Sequence, residues 1–251
     1  MKNKKIRIAV IAAFSVIIAV FAAAAIYLGD YYHADSAAIE AFSSGNSVVE
    51  QISESGVYTF GSGSEKYGFI FYPGGKVDPA AYAPLMRCLA SKGIFCAVCS
   101  MPFRLAVLDV NAADEVIGNY PEVEHWFIGG HSLGGAIAAR YVSEHSEKFE
   151  GIVLLAAYAD KDISHSGLKV LSLYGDEDKV LNREKYADCL KNLPADAREY
   201  VIEGGSHAYF GMYGAQSGDG EPKVSNEEQI VISAREITAF IKGTVQTEMM
   251  E

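Results

Sequence analysis

Positive charge is scarce in this chain. Its 251 residues carry 21 Lys and Arg against 32 Asp and Glu, which gives a formal net charge of −11. Four of the basic residues precede residue 8, so the rest of the chain is more acidic still. An acidic surface repels the phosphate backbone of nucleic acids, and we therefore expect no nucleic-acid partner. The acidity is expected to keep the protein soluble, and it identifies no substrate.

Cysteine is also rare, with four residues in all: Cys88, Cys96, Cys99 and Cys189. Cys96 and Cys99 have the spacing of a redox motif or half a zinc site, but no second pair and no nearby histidine complete a metal site. They lie in an apolar stretch typical of a buried strand, where residues three apart point to opposite faces. We therefore expect buried free thiols, or at most one disulfide, and no metal.

Repeats and low-complexity tracts are lacking, but one long apolar run is present. Residues 8–28 contain no charge, and a helix of that length spans roughly 30 Å, about one bilayer core. Basic residues lie only on its N-terminal side, which predicts a single-pass anchor in the cell membrane with the remaining chain outside the cytoplasm. The competing interpretation is a cleaved signal peptide, with Ala23 and Ala25 as the small-x-small site. The length of the run favours the uncleaved anchor.

Beyond this anchor (1–28) we expect a linker (29–56) and one folded domain (57–251). Predicted strands alternate with predicted helices, which indicates an α/β fold with a mostly parallel sheet and helices on both faces. The predicted strands are 57–60, 67–72, 94–99, 123–128, 151–156, 169–174 and 199–202. The predicted helices are 34–42, 80–91, 110–117, 133–143, 183–192 and 227–241.

The most informative motif is Gly130-His131-Ser132-Leu133-Gly134, a G-x-S-x-G pentapeptide. An apolar strand precedes it and a helix of small residues follows, which is the strand–turn–helix context of a nucleophilic serine. The turn is so sharp that the neighbouring side chains must be minimal, and the glycines satisfy that requirement. Ser132 is therefore the candidate nucleophile. The alternative is a glycine-rich turn with a capping serine.

A serine hydroxyl needs a base, and the base needs an orienting carboxylate. Of six histidines, only His207 follows the last predicted strand, 199–202, in a loop that contains Gly-Gly-Ser. It is therefore the candidate base. Asp178 follows the strand that ends near residue 174, and it is the candidate acid. Asp176 is the second choice and Asp160 a weaker one. An acidic, solvated turn is the alternative for this cluster.

The oxyanion of an acyl-transfer reaction needs preorganised N–H donors. One candidate is the backbone N–H of Leu133, directly after the nucleophile. The other is expected in the loop after an early strand, Tyr72-Pro73-Gly74-Gly75-Lys76, with Gly75 as first choice and Lys76 as the alternative. A plain Pro-Gly turn is the competing interpretation of this loop.

Together these motifs resemble the α/β-hydrolase superfamily. Gly-His-Ser-Leu-Gly-Gly, Tyr-Pro-Gly-Gly-Lys-Val-Asp and Gly-Gly-Ser-His-Ala occur in the expected order, and the resemblance covers residues 57–242. The chain is most similar to small bacterial members related to dienelactone hydrolase that carry an N-terminal anchor. Residues 210–219 resemble a feature of that group, and the placement of Asp178 after Gly175 is the usual one in the superfamily. Dienelactone hydrolases typically use cysteine where this chain has Ser132.

This interpretation predicts a serine hydrolase that cleaves an ester-like bond through an acyl-enzyme, without a metal or organic cofactor. Few residues separate the strands 151–156 and 169–174, so we expect no large lid, an open site, and small or exposed ester substrates. Two other classes stay open. An acyltransferase would use the same triad with an alcohol in place of water, and a non-catalytic module would only bind. Peptidase activity is a weaker variant of the first class.

Overall fold

The structure is a computed structural model that describes residues 2–43 and 56–248. A long helix, α1 (Lys2–Gly29), precedes the rest of the fold. Its stretch Val10–Gly29 is long and apolar enough to cross a membrane, and none of it is buried against the domain. Residues 44–55 of the predicted linker and residues 249–251 of the predicted domain lie outside the described residues.

Seven strands form one sheet in the order β1-β3-β2-β4-β5-β6-β7. Strand β1 pairs antiparallel with β3, and every other pairing is parallel. The carboxyl ends of β2, β4, β5 and β6 therefore meet at one edge, where open α/β sheets bind ligands. The strands are β1 (Val57–Phe60), β2 (Tyr67–Tyr72), β3 (Ile94–Cys99), β4 (His125–His131), β5 (Gly151–Leu155), β6 (Lys169–Gly175) and β7 (Arg198–Ile202).

Helices cover both faces of the sheet and bury two separate apolar clusters. Along β2, Phe69 and Phe71 face one cluster while Ile70 and Tyr72 face the other, as the two-residue period of a strand requires. The predicted α/β class and the mostly parallel sheet are thus confirmed. The remaining helices are α2 (Ser36–Ser43), α3 (Ala83–Ala90), α4 (Ala112–Asn119), α5 (Leu133–His145), α6 (Arg183–Cys189) and α7 (Asn226–Glu248).

Several predicted boundaries differ from the structure. The predicted helix 80–91 divides into a 3-10 turn, Pro79–Tyr82, and the helix α3. Pro84 lacks the N–H that a continuous helix would bond to the Ala80 carbonyl, so the helix begins afresh. The predicted strand 123–128 instead begins at His125 and runs to His131, because its last residues pair with β2 and β5 on either side. The helix predicted at 110–117 lies two residues further on, and α7 continues past residue 241.

Part of the predicted linker packs against the domain. Tyr32 forms an isolated bridge with Val77, and Ala38 of α2 is fully buried. The backbone N–H of Asp35 also donates to the carbonyl of Met212. The chain therefore continues from α1 onto the folded domain within a few residues.

All four cysteines are free thiols. Cys96 and Cys99 on β3 are buried in different apolar clusters, so their sulfurs lie on opposite faces of the sheet. Burial raises the pKa of the Cys99 thiol, with nearby carboxylates adding to the shift. Such thiols are inert at neutral pH.

Candidate active site

Ser132 occupies the turn between β4 and α5 in a strained backbone conformation. Its φ of 52° and ψ of −120° are rare for a residue with a side chain and cost about 1–3 kcal/mol. The flanking glycines allow this geometry: a Cβ on Gly130 would lie 2.5 Å from the Tyr72 carbonyl oxygen, and one on Gly134 would lie 2.1 Å from it. Ser132 is half-buried and stands at the N-terminus of a helix, where developing negative charge is favoured.

Asp178 and His207 form a buried pair at the carboxyl edge of the sheet. Nδ1 of His207 lies 2.9 Å from Oδ2 of Asp178, and the two side chains are 2% and 0% exposed. The other oxygen, Oδ1, accepts the backbone N–H groups of Val180 and Leu181, each at 2.8 Å. The carboxylate is thus held from both sides and directs one oxygen at the imidazole.

Ser132 and His207 line the same pocket, which has a volume of about 260 Å³. Nε2 of His207 is buried and has no hydrogen-bond partner among the described residues, so it is available to accept a proton. A larger groove of about 590 Å³ lies between α3 and α7, but its lining contains neither histidine nor carboxylate. Of these two cavities, only the smaller one is lined by a histidine.

The loop 72–76, which we call the oxyanion loop, lies directly beside the serine turn. A Cβ on Gly75 would stand 3.0 Å from Cδ2 of Leu133, so the two candidate donor residues are neighbours in space. The N–H of Lys76 donates to the carbonyl of Arg104 at 2.9 Å and is not free to bind an oxyanion. This bond argues against Lys76, and Gly75 stays the candidate donor in this loop.

The other carboxylates considered from the sequence have different partners. Asp176 accepts the N–H of Gly204 at 2.6 Å and orders the loop before His207. Asp160 forms an ion pair with Arg140 on the surface. The other five histidines are not among the residues that line the pocket; they are His33, His125, His131, His145 and His165.

His131 is a site residue that sequence reasoning did not single out, although it stands next to the nucleophile. Its buried Nδ1 lies 2.8 Å from the Tyr82 hydroxyl, which also accepts the N–H of Gly74 at 3.0 Å. Burial raises the pKa of Tyr82, so this hydroxyl keeps its proton and can donate it to Nδ1. The contact ties the serine turn to the oxyanion loop.

The ring of His131 also lies 4.7 Å from the ring of His207, centroid to centroid. Burial lowers the pKa of His131 well below its usual range, and the neighbouring His207 lowers it further. His131 is therefore a neutral imidazole against which His207 packs. A neutral neighbour permits His207 to carry a proton during a reaction without facing a second positive charge.

Two further residues hold the loops of Asp178 and His207 in place. Gln229 of α7 is fully buried, accepts the N–H of Ser206 at 2.9 Å and donates to its carbonyl at 2.8 Å. Asp219 accepts the N–H of Ala208 at 2.9 Å and that of Lys179 at 3.3 Å. These contacts give a structural role to the segment around residues 210–220, for which the sequence offered no physical account.

Comparisons with known proteins agree with this architecture. A family model described as the alpha/beta hydrolase family matches residues 68–231. No curated protein sequence matches the chain. Among similar solved structures, Est1E from Butyrivibrio proteoclasticus has a TM-score of 0.59 at 10% identity, covering 80% of this chain and 100% of that one.

Two other structures show the same fold. A monoacylglycerol lipase of Paleococcus ferrophilus has a TM-score of 0.57 at 15% identity, covering 73% of this chain and 98% of that one. A predicted CIB-like hydrolase of Thermoplasma acidophilum has a TM-score of 0.53 at 15% identity, covering 73% and 92%. The family model spans more than half of the chain, and the strand–turn–helix around Ser132 lies within its range. The chain belongs to the alpha/beta hydrolase family.

Proposed function

We propose that the protein is a serine hydrolase that cleaves an ester-like bond through an acyl-enzyme. His207 Nε2 takes the proton of Ser132 Oγ as this oxygen attacks the carbonyl carbon, and Asp178 stabilises the resulting imidazolium. The N–H groups of Leu133 and Gly75 stabilise the oxyanion. His207 then gives its proton to the departing alcohol. Water, deprotonated in turn by His207, releases the acid and restores Ser132.

The observation that carries this proposal is the unpartnered Nε2 of His207 in the pocket that Ser132 lines. Its other ring nitrogen faces the buried carboxylate of Asp178, as a general base requires. The strained turn at Ser132 adds support, because such conformations cluster at active sites. The structures with this fold include a monoacylglycerol lipase and a predicted hydrolase, which is consistent with the chemistry.

The pocket supports a small acyl group. Its volume of about 260 Å³ is below the range of roughly 300–1,000 Å³ that is usual for small-molecule sites. Residues 156–168, which join β5 to β6 and are described throughout, contain no helix or strand that could form a lid. Both features favour small or exposed esters.

We also propose that α1 remains in the membrane as a single-pass anchor, with the catalytic domain on the extracytoplasmic side. The exposed apolar stretch Val10–Gly29 supports the span, and the basic residues before it support this orientation. Protease protection in sealed membranes, followed by N-terminal sequencing of the purified protein, tests both parts. An N-terminus beginning beyond residue 25 would refute the anchor.

A fluorophosphonate probe and p-nitrophenyl butyrate test the chemistry on the full chain in mild detergent. We expect Ser132→Ala and His207→Ala to lose both labelling and turnover. Ser143→Ala and His165→Ala are the matched controls, because these residues lie outside the pocket and His165 is exposed. Labelling of Ser132→Ala at the wild-type level would refute the proposed nucleophile. Added acceptor alcohols yielding transferred esters in place of free acid would indicate an acyltransferase.

A further inference from the structure

The chain leaves α1 directly beside the candidate active site. The helix ends at Gly29, and three residues later Tyr32 donates its N–H to the Lys76 carbonyl at 2.8 Å and accepts the N–H of Asp78 at 2.9 Å. Three residues span at most roughly 11 Å. The end of the apolar helix therefore lies within about 11 Å of Tyr32, which is hydrogen-bonded to the residues that close the oxyanion loop.

This junction is fixed by more than one contact. The guanidinium of Arg104 lies 3.3 Å from the centroid of the Tyr31 ring, and the ring of Tyr32 lies 5.4 Å from that of Tyr213. The N–H of Asp35 donates to the Met212 carbonyl at 2.9 Å. The segment 31–35 is thus attached both to the oxyanion loop and to the segment after His207, which keeps the pocket close to the end of α1.

Residues 103–108, which we call the rim segment, expose apolar side chains beside this junction. Seven large apolar residues outside α1 are exposed in the described part of the chain. Three of them lie in the rim segment: Phe103 (60% exposed), Val107 (48%) and Leu108 (54%). A cluster of exposed apolar residues marks an interaction surface more often than isolated ones do.

The rim segment belongs to the same structural unit as the oxyanion loop. The carbonyl of Arg104 accepts the N–H of Lys76 at 2.9 Å. Phe103 and Arg104 both have positive φ, 51° and 60°, which is an unfavourable conformation for residues with side chains. The segment therefore maintains a strained backbone in which Phe103 is exposed to solvent beside the end of the membrane helix.

We propose that the rim segment contacts the surface of the bilayer that holds α1, so that the pocket receives esters carried by membrane lipids. The headgroup layer is roughly 5–8 Å deep on each side. Arg104 of the rim segment stacks on Tyr31, two residues after the helix ends, so the rim segment is held close to this layer. The partner is the lipid surface because the exposed apolar cluster belongs to the segment whose Arg104 contacts Tyr31, two residues after the apolar helix ends.

The pocket limits which part of such a lipid can enter. A volume of about 260 Å³ accommodates a short acyl group, while the long chains of the same lipid stay in the bilayer. The inferred substrate is a short acyl ester at headgroup depth on a membrane lipid. This inference rests on the proposed ester hydrolysis and on α1 remaining in the membrane.

Depth-dependent quenching tests the contact. The full chain carrying Phe103→Trp is placed in phosphatidylcholine nanodiscs with lipids brominated near the acyl carbonyl. We expect the brominated lipids to lower the fluorescence of the introduced tryptophan by about half, because its side chain would be inserted at the interface. Val231→Trp is the matched control, because Val231 is also 60% exposed but lies on α7. Equal quenching of both variants, or of neither, overturns the contact.

The inferred substrate is tested by comparing hydrolysis of the same acyl group from a membrane lipid and from a water-soluble ester. The same nanodiscs contain 1-palmitoyl-2-butyryl-phosphatidylcholine, and p-nitrophenyl butyrate is supplied from water. We expect Phe103→Asp to lower the ratio of lipid to soluble turnover about tenfold, because a charge at this position opposes insertion. Val231→Asp should leave the ratio unchanged, and an equal loss in that control would refute the inference.

The outcomes separate this inference from the proposed function. A wild-type protein that hydrolyses p-nitrophenyl butyrate but not the butyryl lipid would remain a serine hydrolase, and the lipid substrate would be rejected. A wild-type protein that hydrolyses neither ester would overturn the proposed function and the substrate together. In that case the quenching result would still decide whether the rim segment touches the bilayer.

Discussion

Asp178→Asn preserves the shape of the buried carboxylate but replaces one oxygen with an NH₂ group. Oδ1 accepts the N–H groups of Val180 and Leu181 at 2.8 Å, and Oδ2 faces Nδ1 of His207 at 2.9 Å. The Asn amide must turn its oxygen toward the two N–H donors. The reverse orientation leaves two buried N–H groups facing another donor, at about 1–3 kcal/mol each. The NH₂ group therefore faces His207.

A neighbouring NH₂ group forces Nδ1 of His207 to act as an acceptor, so the ring proton moves to Nε2. Nε2 can then no longer take the proton of Ser132. We expect kcat/KM for p-nitrophenyl butyrate to fall about 10³–10⁴-fold, which corresponds to about 4–5.5 kcal/mol of lost transition-state stabilisation. The loss should appear in kcat, because the substituted group does not line the pocket.

Asp176→Asn is the matched control, since it is the same change two residues earlier. Asp176 accepts one N–H, that of Gly204, and the Asn oxygen can keep this bond. We expect kcat/KM of Asp176→Asn to fall by less than about threefold. Circular dichroism and thermal unfolding would verify that both variants are folded. A folded Asp178→Asn within about tenfold of wild type, or an equal loss in Asp176→Asn, would refute the assignment of the acid.

Three further predictions concern the frame of the site. Gly134→Ala places a Cβ 2.1 Å from the Tyr72 carbonyl oxygen, so urea unfolding should show about 1–3 kcal/mol of lost stability, and an unchanged midpoint would contradict the close packing. Tyr82→Phe leaves Gly74 N–H and His131 Nδ1 without their common partner, and it should cost about 2–4 kcal/mol by the same assay. Because the pKa of His131 is lowered on folding, its neutral form contributes stability that is present above about pH 6.5 and is lost as pH falls, by up to about 1.4 kcal/mol per unit. His131→Gln should therefore flatten the difference in unfolding free energy between pH 7.5 and pH 5, and an unchanged slope would argue against a buried neutral His131.

The serine turn could be predicted because its requirements are local. A sharp strand–turn–helix needs small residues at fixed offsets, and Gly130 and Gly134 meet that steric condition within five residues of chain. The alternating strands and helices were equally predictable, since periodicity reports which face of each element is buried. Pro84 shows the limit of such patterns: the apolar spacing suggested one helix, but the missing N–H divided it.

Choices between close neighbours needed the folded structure. Asp176 and Asp178 are two residues apart, and only the turn after β6 determines that Asp178 faces His207 while Asp176 faces Gly204. Likewise the sequence left Gly75 and Lys76 as alternatives, and the bond from Lys76 N–H to the Arg104 carbonyl separates them. Side-chain and N–H directions in such loops depend on backbone angles that short-range patterns do not specify.

The sequence by itself determined the α/β class, the position of the serine turn and the apolar N-terminal helix, because each depends on residues that are neighbours along the chain. Tertiary structure decided the rest: the His131–Tyr82 contact, which joins residues 49 apart in the chain, the link of Asp219 to the loops of Asp178 and His207, and the bond of Tyr32 to the oxyanion loop. The physical reason is that these groups meet only after parallel strands bring their carboxyl ends to one edge of the sheet, and the register and packing of that sheet are properties of the whole chain.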